Sequence, residues 1–129
     1  MEEQRLLVID DDPGFGTFVK RVAEGEGFAV EVTTSAEAFK QALITFRPSV
    51  VLLDVVMPEV EGIELLRYLA DSNWVGPVLV ISGYNPEYLR LAKSVGSSRG
   101  LPDVITLTKP IHPTELRTAL KDACKRSCP

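Results

Sequence analysis

The chain has 129 residues, 45% hydrophobic and 25% charged, with 18 acidic against 14 basic side chains and a formal net charge of −4. That length suits one domain with a radius of gyration of roughly 14 Å, and an apolar fraction near the globular average excludes disorder, collagen and mucin-like stalks. No apolar run approaches the ~18 residues that span a bilayer, Met1-Glu2-Glu3-Gln4-Arg5 is not a signal peptide, and the acidic balance argues against nucleic-acid binding through a broad basic face. Cys124 and Cys128 fall near the end of the chain and cannot staple a core, so a reducing, cytoplasmic setting is expected.

Apolar runs alternate with helical patterns along the whole chain. Leu6-Leu7-Val8-Ile9 reads as a buried strand, and Phe15, Phe18, Val19, Val22 and Ala23 form the i, i+3, i+4, i+7, i+8 stripe of a one-sided helix. Gly25 and Gly27 stop that helix, and Phe28 to Thr33 is the second strand. Ser35 is the expected N-cap of a helix striped at Phe39, Ala42, Leu43 and Phe46 that ends before Pro48. Val50 to Leu53 is the third strand, and Gly62 opens a helix running through Ile63, Leu66, Leu69 and Ala70. Val78 to Ile81 is the fourth strand, followed by a helix striped at Tyr88, Leu91, Ala92 and Val95 and by a turn-rich insertion, Ser97 to Pro102. Val104 to Thr108 is the fifth strand, and Pro113 begins a last helix striped at Leu116, Ala119, Leu120 and Ala123.

Short apolar runs without alternation mark strands covered on both faces, hence a parallel sheet between helix layers. Right-handed crossovers leave few topologies for five strand–helix units, and the doubly wound five-stranded sheet is the smallest that fits. In such sheets ligands bind at the carboxyl ends of the strands. There the chain places Asp10-Asp11-Asp12, Asp54, Ser82 and Lys109-Pro110, after the first, third, fourth and fifth strands.

Carboxylates crowded at one rim repel unless a cation neutralises them or some are protonated. Mg²⁺ suits such a site, binding through one or two carboxylates and keeping water and phosphate oxygens as further ligands. A carboxylate beside it can attack phosphorus and form an aspartyl phosphate, with the lysine as a point charge and the serine as a hydrogen-bond donor to the phosphoryl group. Each residue alone has a plainer reading. Asp12 before Pro13 is equally a helix cap, Asp54 and Ser82 are ordinary loop chemistry, and Lys109 is a solvated charge. Their joint placement at the strand ends favours the functional reading.

Four motifs carry a family resemblance: Leu7 to Pro13, Leu53-Asp54-Val55-Val56-Met57-Pro58 with Gly62, Ile81-Ser82-Gly83, and Thr108-Lys109-Pro110. In this order and spacing the chain resembles the receiver domain of two-component response regulators, of the single-domain, chemotaxis-regulator-like kind. The resemblance implies a flavodoxin-like sheet of order 2-1-3-4-5 with five helices; one receiver domain over 1–129, core at about 5–125, and no effector domain are expected of the chain, either as a stand-alone regulator or phosphorelay intermediate or as the receiver of a larger protein. The resemblance also implies Asp54 as phosphoacceptor, and Asp10, Asp11, Asp54 and the Val56 backbone carbonyl as the protein ligands of Mg²⁺, with Asp11 favoured over Asp10 as a direct ligand. Ser82 and Lys109 would contact the phosphoryl group. The implied partners are a sensor histidine kinase or phosphotransfer protein and a downstream protein met by surface contact, with neither nucleic acid nor membrane bound directly. A dimer formed on phosphorylation is left open.

The chain departs from the family pattern at Thr106, where family members usually carry an aromatic residue, and in a long connection before the fifth strand. Both are expected to alter the partner surface and not the phosphorylation. Val56 offers no polar group to orient a water, and Tyr84 is placed to shield the site, so a long-lived phosphoryl group is expected. Other readings fit less well. Gly14-Phe15-Gly16 is followed by Val19 where a dinucleotide-binding loop needs glycine. No phosphate-binding Gly-Lys-Ser/Thr loop is present, and a haloacid-dehalogenase-like phosphatase would need an acid at Val56. A pseudo-receiver acting as a phosphorylation-independent interaction module would be expected to lack one of the acidic, Ser82 or Lys109 positions. His112 reads as a solvent-facing loop residue, Cys124 and Cys128 as surface cysteines lacking a zinc site, and Lys121, Lys125 and Arg126 as a favourable helix C-terminus.

Overall fold

The computed structural model describes residues 4–54, 59–83, 86–101 and 103–127. Five strands, β1 (Arg5–Ile9), β2 (Ala29–Thr33), β3 (Val50–Asp54), β4 (Val78–Ser82) and β5 (Val104–Thr108), alternate with five helices, α1 (Pro13–Gly25), α2 (Ala36–Thr45), α3 (Glu59–Asp71), α4 (Pro86–Ser98) and α5 (Pro113–Ser127). All strand pairings are parallel, in the order β2-β1-β3-β4-β5.

The unbroken apolar runs do what their lack of alternation implies. Leu6 to Ile9, Val50 to Leu53 and Val78 to Ile81 are fully buried, and alternate residues feed two separate cores. Leu7, Ile9, Val51, Leu53, Val78 and Val80 pack with α2, α3 and α4 on one face. Leu6, Val8, Val50, Leu52, Leu79 and Ile81 pack with α1 and α5 on the other. Each buried aliphatic side chain contributes roughly 1.5–3 kcal/mol by leaving water.

The helix ends follow local chemistry. The Ser35 hydroxyl accepts from the Ala38 N–H at 3.2 Å, the N-cap expected of it. Helix α1 closes when Gly27, at φ +91°, lets the Gly27 and Phe28 N–H groups reach the Glu24 and Ala23 carbonyls.

Four expectations shift. Helix α3 begins at Glu59 and absorbs Gly62 within its first turns. The turn-rich insertion is partly helical, since α4 takes in Ser97 and Ser98 before Gly100, at φ +88°, closes it. The Leu101 N–H then bonds the Gly96 carbonyl at 2.9 Å, and the Leu101 side chain is buried in the first core. Leu91, read as part of the α4 stripe, is 51% exposed, because Ala92 and Gly96 form the buried contact instead. Leu65, absent from the α3 stripe, is buried. The Ile63 and Tyr88 side chains, Val56, Tyr84, Pro102 and Cys128 lie outside what is described. Among the described residues no helix is long and apolar enough to cross a membrane.

Candidate functional site

Parallel register carries the sequence-predicted residues to one rim. Ile9 pairs with Leu53, so Asp10 and Asp54 follow side by side, and Asp54 pairs with Ile81, so Ser82 comes one step beyond. Ser82 pairs with Thr108, and the Lys109 N–H donates to the Ser82 carbonyl at 3.0 Å, binding the lysine's backbone to the end of β4. The Lys109–Pro110 peptide bond is cis.

The three residues on the central strands are sealed from solvent: Asp10 and Asp54 are 0% exposed and Ser82 3%. The Lys109 ammonium donates to Asp54 Oδ2 at 2.5 Å, a charge-assisted bond that neutralises the buried carboxylate. Asp10 Oδ1 accepts from the Asp12 N–H at 2.8 Å, whereas Asp10 Oδ2 is buried with no donor. Burial pushes the Asp10 carboxyl up to about 7; the Asp12 N–H opposes that rise, the neighbouring Asp54 carboxyl adds to it, and Lys109 lowers it.

The rim therefore sorts its acids. Asp10 and Asp54 form the interior pair, while Asp11 and Asp12 are exposed. Asp12 takes the plainer of its two readings, capping α1 by accepting from the Gly14 N–H at 3.0 Å. Among the described residues no three His, Cys, Asp or Glu side chains group closely enough to hold a metal ion. The donors nonetheless fit Mg²⁺, which needs only one or two carboxylates and retains water. A buried oxygen lacking a donor, beside a second carboxyl, is the environment a hard cation relieves.

One neighbour was not singled out as a site residue. The Lys109 ammonium lies 4.0 Å from the centroid of the Phe15 ring, which packs on Phe18 at 5.8 Å. Along the chain Phe15 is only the start of an apolar stripe, yet in the fold it is half-buried at the rim. The signal was its place in the first turn of the helix that leaves the acidic strand end, which is the same rim. These aromatics, Lys109, Pro110 and Ile111 line a groove of about 660 Å³.

Elsewhere His112 is exposed as expected, whereas Cys124, read as a surface cysteine, is half-buried against the second core, and the Arg126 side chain lies outside what is described. Lys121 is drawn with Arg117 toward Glu26 of the α1 C-cap, each at 3.9 Å, and so joins α5 to α1.

The family model for the response regulator receiver domain matches residues 6–121. The chain belongs to this family. As a receiver it is 27% identical over 124 residues to the alkaline phosphatase synthesis transcriptional regulatory protein PhoP of Bacillus subtilis, covering 96% of this chain and 50% of PhoP. It is 30% identical over 123 residues to the transcriptional regulatory protein TrcR of Mycobacterium tuberculosis, covering 95% of this chain and 46% of TrcR. The receiver thus spans about half the length of the curated relatives it matches. Among solved structures, the receiver domain of Francisella response regulator 1452 aligns with a TM-score of 0.81 at 28% identity, over 97% of this chain and 99% of that one. A CheY-like receiver domain protein of Methanospirillum hungatei shares the fold, with a TM-score of 0.81 at 23% identity over 98% and 97% of the two chains.

Proposed function

We propose that this receiver accepts a phosphoryl group on Asp54 and uses it to switch a protein-contact surface. The observation that carries the reading is a fully buried carboxylate at the end of a central strand, neutralised by the Lys109 ammonium, beside an Asp10 oxygen that has no donor. The proposed donor is the phosphohistidine of a sensor kinase or phosphotransfer protein, or a small acyl phosphate. An Asp54 carboxylate oxygen attacks phosphorus as the bond to the donor imidazole breaks, and the imidazole leaves with that bond's electron pair. Water attack at phosphorus later returns the carboxylate and inorganic phosphate.

The chain's own groups contribute position and charge, as phosphoryl transfer requires. Lys109 moves its bond from the carboxylate to a phosphoryl oxygen. Ser82, one step past Asp54 on the adjoining strand, donates to another. Asp10 and Asp54, with Asp11 and the Val56 carbonyl proposed as further ligands, would hold Mg²⁺, which when bound neutralises charge on the transferring group. The proposed unit is the receiver core at about 5–125, acting in the cytoplasm on a downstream protein.

Intact-mass spectrometry after incubation with acetyl phosphate and Mg²⁺ tests the reading. One added phosphoryl group is expected, absent from Asp54→Ala and from the metal-free control. Lys109→Ala should slow the adduct by at least about tenfold, as loss of a donor to developing charge does. Absence of both the adduct and beryllofluoride binding would overturn the switch in favour of a phosphorylation-independent interaction module. Catalytic turnover of a phosphate monoester would favour a phosphatase.

A further inference from the structure

The Lys109 ammonium has two partners of different kinds. One is the Asp54 carboxylate, at 2.5 Å; the other is the face of Phe15, whose centroid is 4.0 Å away. Helix α1 sets that ring in place. Asp12 caps the helix, so Phe15 falls in its first turn at the level of the strand ends, and Phe18 braces the ring one turn later. Gly83 leaves room for the lysine stem, since a Cβ there would meet the Lys109 Cβ at 3.2 Å.

We propose that Phe15 is a positioning residue for phosphoryl transfer, seating the Lys109 ammonium by a cation–π contact while its hydrogen bond passes from Asp54 to the phosphoryl group. The inference rests on the phosphoacceptor reading and adds to it a residue outside the charged set. A π face suits the task for a physical reason. It attracts the cation through the ring quadrupole without offering a directional acceptor that would compete with phosphate oxygens. Lysine is a compact charge on a flexible stem with three rotatable donors, and an aromatic seat restricts where that charge sits without restricting which oxygen it meets. The groove is open beside the seat, so the ring also replaces water that would otherwise solvate the ammonium.

Fluorination of the ring tests this, because it drains the quadrupole while nearly conserving shape. With mono-, di- and trifluorophenylalanine at position 15, the rate of Asp54 phosphorylation by acetyl phosphate should fall stepwise. The total loss should be roughly three- to tenfold, the span of a partly desolvated cation–π contact. Phe15→Leu should lose about as much, Phe15→Trp should retain the rate, and in a Lys109→Ala background the fluorinated series should be flat. A series that is flat with Lys109 present would overturn the proposal, as would equal rates for Phe15→Leu and wild type. The contact has a second readout that needs no phosphorylation: the ring-current shift of the Lys109 ε-methylene protons, present in wild type and absent in Phe15→Leu. Failure of wild type to accept a phosphoryl group would overturn the phosphoacceptor reading and, with it, a role in transfer. Absence of the ring-current shift would overturn the seat alone.

Discussion

Strands β3 and β5 deliver the two opposite charges of the site in contrasting ways. Every residue of β3 through Asp54 is buried between two helix layers, whereas β5 is an edge strand whose residues are half-buried or, at Thr108, exposed. The nucleophile is thus carried by the most constrained part of the sheet and the cation by its open margin. A carboxylate that must present one oxygen in line to phosphorus gains from a rigid mount. A lysine that must exchange one oxygen partner for another gains from an edge with fewer contacts.

The sharpest way to break this contrast is to cut one leucine from each strand. Leu53→Ala, at a fully buried position, should cost about 3 kcal/mol, and Leu107→Ala about 1 kcal/mol. Urea unfolding would measure both, and equal losses would show that the margin is packed as tightly as the centre. Next in size is the buried acid. Asp10→Asn should stabilise the metal-free protein at pH 8 by about 2 kcal/mol, by removing a buried charge beside Asp54. The same change should abolish any rise in melting temperature on adding Mg²⁺.

The wild-type pH profile sharpens the point, with its sign set by the raised Asp10 value. Between the ordinary 3.8 and about 7 the folded state holds a proton that the unfolded state has released. The Asp10 contribution to metal-free stability should therefore fall as pH rises through that window and level off above it. Thermal melts of wild type and Asp10→Asn from pH 4 to 8 would show the difference in slope, and parallel profiles would refute it. A smaller effect lies at the entry to β5. Gly100→Ala forces an L residue into φ +88° and should cost about 1 kcal/mol. The smallest belongs to Leu91→Ser, which at 51% exposure should shift stability by no more than about 0.5 kcal/mol.

Much of this was legible along the chain because the governing physics is local. The four-residue apolar runs, the Ser35 cap and the Leu116-Ala119-Leu120-Ala123 stripe depend on spacing within a few residues, and each appears in the structure. The strand-end positions of Asp10, Asp54, Ser82 and Lys109 follow from the same strands. The misreadings arose where a competing local option existed. Gly62 resembles a helix start but lies inside α3, and Leu91 continues a stripe that Ala92 and Gly96 complete. Leu101 sits among turn formers, and only the closing of α4 by Gly100 turns it into the core.

The sequence by itself determined five strand–helix units, a sheet buried on both faces, and a rim of acids with one hydroxyl and one lysine, because periodicity and strand ends are properties of neighbours in the chain. Tertiary structure alone decided that Asp10 and Asp54 are the buried pair while Asp11 and Asp12 remain in solvent. It also decided that Asp10 holds an oxygen with no donor and that an aromatic ring lies beneath the lysine. Desolvation and through-space contact depend on what register and helix packing bring together from distant parts of the chain, so neither is encoded in the spacing of residues along it.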